Sequence, residues 1–388
     1  MSSYISSNAN RFYTGLESAY GRVPQITDGN RIPAVALSIQ QQLEKRERKD
    51  KTGSRTFPGL PAGGRRRTTF DLRTYLTSWN TQNGDPAYGP LVEACLGGSP
   101  LRFAGGTASV SNGATLTFTA PHGLAGGQAV SCGGEIRFVM AVVNPTTVQL
   151  NAPFSVAGPG APIGGTISYG PGTDLGSVSV FDYWSPSTAV QRILCGAAVN
   201  QMTVQINGDY HELRFSGFAQ DVIDSASFTG SAGQLSSFPA EPAMGEFDYS
   251  IVPGNLGQAW LGSSPDRFLT ITSASIVIDN SLDLRANEFG SSVPLGISPG
   301  VRSVSVTFSL YEQDEDATKG LYQAARQQSP ISVMFQLGEQ SGQVMGVYLQ
   351  SVVPEVPEFD DGQTLLQWSF QGSRAQGTTD DEVAVAFG

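Results

Sequence analysis

The stretch GVRSVSVTFSLY, residues 300–311, decides how the chain is read, because GRRRTTFDLRTY, residues 64–75, repeats its pattern in worn form. In the later copy Val304, Val306, Phe308 and Leu310 alternate with Ser303, Ser305, Thr307 and Ser309. Successive side chains of a strand point to opposite faces, so this spacing predicts a half-buried strand with one apolar and one hydroxylated face. Each stretch also holds a Phe, one polar residue and then a Leu. A half-buried strand used twice points to a duplicated chain.

The flanks repeat in the same order. ALSIQQQLEKR (36–46) precedes the first stretch and ASIVIDNSLDLR (274–285) the second. QQLEKR and NSLDLR align at an offset of 239, and Phe70 and Leu72 set against Phe308 and Leu310 give 238. DPAYGPLVEACLGGSPLRF (85–103) then runs alongside DATKGLYQAARQQSPISVMF (316–335). Each reads as an acidic N-cap, a short helix and a Ser-Pro leading into a strand, with Pro86 at the N1 position after Asp85. Further on, GAAVNQMTVQING (196–208) matches QSVVPEVPEFDDG (350–362), and ELRFSGFAQ (212–220) matches QWSFQGSRAQ (367–376). Phe215-Ser216-Gly217 falls there on Phe370-Gln371-Gly372, an offset of 155 against 231 in the helix, so the first copy holds an insertion between residues 103 and 196. The inserted stretch has Gly-rich turns, five or six short strands and almost no charge, the pattern of a small self-contained β-barrel.

Length and composition agree. A chain of 388 residues exceeds one ordinary core and suggests two to three domains. With 46 Gly, 23 Pro and 15% charged residues it fits short strands and turns, so the expected class is mainly β. Cys95, Cys132 and Cys195 are odd in number and scattered, which indicates buried free thiols rather than a disulfide framework or zinc site. The N-terminal MSSYISSNANRFYTGL lacks a signal-peptide core and no apolar run is long enough to span a bilayer, so the chain is expected to be made and kept in a cytosol.

Charge is unevenly spread. The net charge is −11, yet residues 43–67 hold nine Lys or Arg against three acids, +6, which leaves −17 for the remainder. A basic arm on an acidic body can be a solvated loop or a nucleic-acid patch. One aromatic, Phe57, and a body that repels phosphate weigh against nucleic acid.

No catalytic pattern accompanies these features. His122, in the turn APHGL, and His211, in DYHELRF, have no second ligand at metal spacing on the same element. No nucleophile elbow, HExxH, Walker-type loop or dinucleotide fingerprint occurs, and DEDATKG lacks calcium-loop spacing while serving as a helix cap. The expectation is a non-enzyme with no catalytic residue, no metal and no cofactor.

The run from IDNSLDLRANEFGSSVPLGISPGVRSVSVTFSLY through DATKGLYQAARQQSPISVMF, then PEVPEFDDGQTLLQWSFQGS and the ending TTDDEVAVAFG, resembles the major tail tube proteins of long-tailed, siphovirus-like bacteriophages. The resemblance covers residues 265–388, and more faintly 32–103 and 190–225; the insertion, with PHGLAGGQAV and VVNPTTVQL, is similar to small β-barrel modules of phage structural proteins. It implies two tandem β-sandwich tube domains, each with one short helix. The boundaries are an N-terminal arm 1–31, a first tube domain 32–103 plus 176–264, the inserted barrel 104–175 and a second tube domain 265–388.

It further implies a structural virion protein, assembled in the host cytoplasm, whose inner sheets join into a channel for genome ejection. Two tube domains per chain would let a homotrimer fill the six places of a pseudo-hexameric ring, and rings would stack. Tape-measure, baseplate and tail-terminator proteins would be its partners, with double-stranded DNA passing unbound along an acidic wall. The family's long hairpin loop, which reaches the neighbouring ring, corresponds to residues 42–67 and 281–302. The contact residues are then Lys45, Arg46, Arg48, Lys49, Lys51, Arg65, Arg66 and Arg67. Their acidic docking or lumen counterparts are Asp314, Glu315, Asp316, Glu358, Asp360, Asp361, Asp380, Asp381 and Glu382. The rival readings are a distal tail or baseplate ring protein, and a decoration protein or adhesin binding host glycans. The latter calls for clustered aromatics, and residues 104–173 hold only Phe118, Phe138, Phe154 and Tyr169.

Overall fold

The computed structural model describes residues 4–44, 51–56, 59, 64–78, 85–243, 249–263, 265–362 and 364–388. The fold is mainly β. The chain begins with strands β1 (Asn10–Leu16), β2 (Arg31–Ile32), β3 (Ala34–Leu43) and β4 (Arg66–Tyr75) and helix α1 (Gly89–Leu96). Next come β5 (Leu101–Phe103), β6 (Gly106–Asn112), β7 (Thr115–Phe118), β8 (Ala129–Cys132), β9 (Glu135–Asn144), β10 (Thr147–Leu150), β11 (Pro162–Ile163) and β12 (Thr166–Tyr169). The first half closes with β13 (Val178–Trp184), β14 (Arg192–Ile206), β15 (Glu212–Ala219) and β16 (Asp221–Asp224). The second half has β17 (Gly257–Gly262), β18 (Asp266–Phe268), β19 (Ile271–Asp279), β20 (Asp283–Leu284), β21 (Ile297–Ser298), β22 (Ser303–Tyr311) and helix α2 (Asp316–Gln327). It ends with β23 (Ile331–Leu337), β24 (Met345–Val353), β25 (Glu358–Asp360), β26 (Gln367–Ala375) and β27 (Ala384–Phe387).

One set of antiparallel pairings occurs twice. In the first half β1 pairs β2 and β13, β3 pairs β4, β4 pairs β15, and β14 pairs β13, β15 and β16. In the second, β17 pairs β18 and β23, β19 pairs β22, and β22 pairs β26; β24 pairs β23, β26 and β27, and β25 adds to β26. The opening strand behaves as its alternation requires: Val304, Val306, Phe308 and Leu310 are buried, and Phe308 stacks on Phe370 with ring centroids 4.6 Å apart.

Several expectations need correction. Leu72, not Phe70, occupies the place of Phe308, since Leu72 lies opposite Phe215 and Phe308 opposite Phe370, while Tyr75 and Tyr311 lie opposite Glu212 and Gln367. The Phe-x-Leu match was therefore two residues out. A two-residue slip keeps every side chain on its own face, so alternation alone could not detect it. Bulges at Ala34/Ala36 and Ile271/Ser273 fix the neighbouring strands likewise, placing Ser38-Ile39 on Ser275-Ile276. The strand after α1 is not the counterpart of β23; that place belongs to β13. Residues 1–31 are not merely an arm, since β1 pairs along its whole length with β13. β17 precedes residue 265, yet it is the first strand of the second copy. The barrel's strands end at Ile163, and β12 bridges β5 to β27 in the main body.

The two copies share one sheet. Its order is β3-β4-β15-β14-β19-β22-β26-β25, so β14 of the first copy pairs directly with β19 of the second. β14 reaches this sheet from an outer one: Arg192–Cys195 pair with β16, and the strand turns at Gly196 before Gln201–Ile206 pair with β19. Gly196 has φ +61, and a Cβ there would lie 2.6 Å from that of Gln220, so only glycine makes this turn without strain. A single apolar core then joins Leu72, Met202 and Phe215 to Ile276, Val306 and Phe370 under both helices. Asn280 bonds across the join, donating from Nδ2 to the carbonyls of Cys95 (2.8 Å) and Val199 (3.1 Å).

The insertion forms a six-stranded sheet, β11-β6-β7-β10-β9-β8, around its own core of Leu116, Phe118, Val139 and Val148. It does not stand free. Ile136 and Phe138 pack on Met334, Val344 and Tyr348 of the second copy's outer sheet, and Gly134, at φ +82, meets the Glu339 carbonyl where a Cβ would not fit. Arg137, wholly buried, donates to Pro153 O (2.9 Å), Ile136 O (2.7 Å), Gln336 Oε1 (3.2 Å) and Gln258 Oε1 (2.9 Å). Its guanidinium lies 3.5 Å from Glu135 and over the Trp260 ring, and burial lowers its pKa to about 10. Removing one member of a buried charged network strands the rest, so Arg137→Ala should destabilise the chain by about 3–5 kcal/mol in urea unfolding. Arg137→Met, which fills the volume, should cost less but leave Glu135 uncompensated.

Candidate assembly interface

The shared sheet has two open edges, β3 and β25, and each is the counterpart of a strand that is paired at the internal join. Across that join Gln201 lies opposite Asp279, Met202 opposite Ile278, Thr203 opposite Val277, Val204 opposite Ile276, Gln205 opposite Ser275 and Ile206 opposite Ala274. The Gln201 and Gln205 amides donate to Asp279 Oδ2 (3.4 Å) and Ser275 Oγ (3.2 Å). Pairing with β15 and β26 equates Thr203, Val204 and Gln205 with Glu358, Phe359 and Asp360. Pairing with β4 and β22 equates Ser275, Ile276 and Val277 with Ser38, Ile39 and Gln40. Among the described residues no strand covers these edges: Phe359 is 55% exposed and β3 is exposed from Gln40 to Leu43 at 58%, while Ile39 is half-buried against the core. A long open edge ordinarily invites pairing with another chain.

Of the basic arm, Lys45, Arg46, Arg48 and Lys49 lie outside the described residues, and Lys51 is exposed. Arg65 donates to Asn287 O (3.0 Å) and Arg66 pairs with Asp221 at 2.9 Å, while Arg67 lines a cleft with Leu284 and Asn287. The acids fall at opposite ends of the sheet. Asp380 and Glu382 bracket Arg302 at 3.3 and 2.8 Å, at the hairpin end where the basic arm also sits. Asp381 there accepts from the Thr378 amide (2.7 Å), which lowers its carboxyl pKa. Glu358, Asp360 and Asp361 lie toward the other end, with Asp314, Glu315 and Asp316 at the start of α2. Asp314 is paired with Lys319 at 2.6 Å, and Glu315 accepts from Thr318 at 3.1 Å. The open edges themselves were missed from sequence, although Ser38-Ile39 against Ser275-Ile276 was a signal that could have found them.

No family model matches the chain, and no curated protein matches it. Among solved structures it is similar to the SPP1 tail tube, determined by solid-state NMR and electron cryomicroscopy. The identity is 18%, over 34% of this chain and 81% of that one, with a TM-score of 0.26.

Among the described residues no His, Cys, Asp or Glu cluster could hold a metal ion, and no helix is long and apolar enough to cross a membrane. The three cysteines are free and buried, and burial raises the Cys95 and Cys195 thiols to about 12. His122 closes its turn, accepting the Leu124 N–H at 2.8 Å on Nδ1. His211 is buried where β15 meets the approach to β17, with Nε2 2.9 Å from the Leu256 carbonyl and Nδ1 without a partner. Burial lowers its pKa, so the folded chain holds it neutral more firmly than the unfolded chain does. Its contribution is complete above the unfolded value of about 6.5 and is lost as pH falls below it. The melting temperature should therefore drop between pH 7 and 5.5, and His211→Gln should flatten that segment of the profile.

Proposed function

We propose that this chain is a structural subunit of a bacteriophage tail tube, three copies of which close a pseudo-sixfold ring by pairing β25 of one chain with β3 of the next. The observation that carries the reading is the β14–β19 join. It is a working version of the same contact, and the open edges repeat its pattern. Set in the same register, Phe359 packs beside Ile39 on the apolar face, as Val204 does beside Ile276. On the other face Gln40 and Ser38 stand as donors opposite the carboxylates of Glu358 and Asp360. A head-to-tail contact of this kind makes rings when the rotation closes, and rings leave no open edge.

The hydrophilic face of the shared sheet would line the channel. That face carries Ser305, Thr307, Thr203, Gln205 and Ser275, with Asp71 paired to Arg214 and with Arg73, Arg374, Glu212 and Asp279 as further charges of both signs. On this reading the wall would be nearly neutral rather than acidic, and DNA would pass because hydroxyls and amides offer no net attraction to phosphate. The insertion, on the outer sheet, would face away from the channel. The carboxylates of α2 and β25, at the end of the sheet away from the hairpins, would face the next ring when rings stack head to tail.

Native mass spectrometry should show assemblies in multiples of three chains. Phe359→Lys, at an exposed edge position, should leave a folded monomer and remove rings, because exposed positions rarely change stability by more than about 0.5 kcal/mol. Ile39→Lys, at the opposite edge and half-buried against the core, should also remove rings but lower stability further. Six chains as the smallest ring, or rings that survive both substitutions, would contradict the reading.

A further inference from the structure

We infer that residues 51–56, between β3 and β4, lie sideways on the adjacent chain of their own ring, over Val301, Arg302 and Gln376 and beside Asp380, Asp381 and Glu382. This rests on the ring reading above and adds the partner of the hairpin. The second copy's hairpin already does this inside the chain. It crosses the β14–β19 join and settles on the first copy: Arg66 N–H donates to Ser292 O (2.8 Å), Arg65 to Asn287 O (3.0 Å) and Gln220 to Pro294 O (3.2 Å).

The residues that receive it have counterparts in the second copy. Register equates Arg65 and Arg66 with Val301 and Arg302, and the ends of β15 and β26 equate Gln220 with Gln376. Both landing sites carry the same ion pair, Arg66 with Asp221 at 2.9 Å and Arg302 with Glu382 at 2.8 Å, each acid following the last inner strand. Among the described residues nothing covers Val301 at the second site, where it is 87% exposed, while Arg302 beside it is held by Asp380, Glu382 and the Gly172 carbonyl.

The hairpins have nearly the same length, residues 44–65 between β3 and β4 and residues 280–302 between β19 and β22. Counted from their strands, Asn287 corresponds to residue 50 or 51 and Ser292 to 55 or 56. Charge follows the swap. The hairpin holding Asp283 and Glu288 against Arg285 rests on Arg65, Arg66 and Arg67, whereas the one holding Lys51 and Arg55 would rest beside Asp380 and Glu382, which flank Arg302, and Asp381, which faces Thr378. Each junction pairs opposite signs, and a hairpin placed at the other site would meet its own sign, which fixes the order of sectors around the ring.

The test uses the full chain carrying Lys51→Cys and Val301→Cys, treated with a short bismaleimide linker on isolated rings before tubes form. The native cysteines are buried and should not compete. Denaturing gels should show linked pairs and closed trimers, whereas each single substitution should stay unlinked. Rings without any link would overturn the sideways contact and leave the ring reading standing. Links that arise only once tubes form would assign the hairpin to the next ring and overturn it as well. A double-cysteine chain and an unsubstituted chain that both stay monomeric would remove the ring reading and this contact together.

Discussion

Everything in this chain depends on one strand pair, β14 against β19. A sheet edge is a row of unpaired donors and acceptors, and it is either used or left exposed. The join uses the last inner strand of the first copy and the first inner strand of the second, so two half-sheets become one of eight strands. Each cross-strand pair contributes only about 0.2–1 kcal/mol, but the join also closes the common core beneath it. The same duplication that closes one junction inside the chain leaves one unmatched half at each end. The chain therefore carries one finished junction and, on the proposed reading, the two parts of another.

The internal junction forms without the translational and rotational entropy cost that a contact between chains must meet. At the proposed external junction several small terms would have to add up: backbone pairing, Phe359 beside Ile39, donors opposite carboxylates and a basic hairpin over an acidic landing site. Glu358 and Asp360 stand where Thr203 and Gln205 stand at the join, so the proposed external junction would be the more charged of the two and the more sensitive to salt.

The mainly β class and the repeat were legible because strand alternation survives in both copies, but the shared helix start was not real: α1 begins at Gly89 after Tyr88 rather than after Asp85, and the strands that follow the two Ser-Pro pairs are not counterparts. The register was not, since Phe70-x-Leu72 and Phe308-x-Leu310 match in letters while the structure aligns Tyr75 with Tyr311. β1 escaped because Phe12, Tyr13 and Thr14 are all buried, so NRFYTGL shows no alternation. The seating of the insertion was hidden as well. Arg137 reads as one charge in an apolar run, and only the fold brings Glu135, Gln258 and Gln336 to it. Of the basic and acidic residues chosen from sequence, the signs were evident but the ends of the sheet on which they lie came from strand direction.

Amide hydrogen exchange measured before and after assembly tests the central claim most directly. If β25 of one chain completes the sheet on β3 of the next, amides in residues 36–43 and 356–361 should gain protection on assembly. Residues 274–279, already paired at the internal join, should stay protected throughout. Assembly that leaves both edges exchanging as fast as in the monomer would contradict the account.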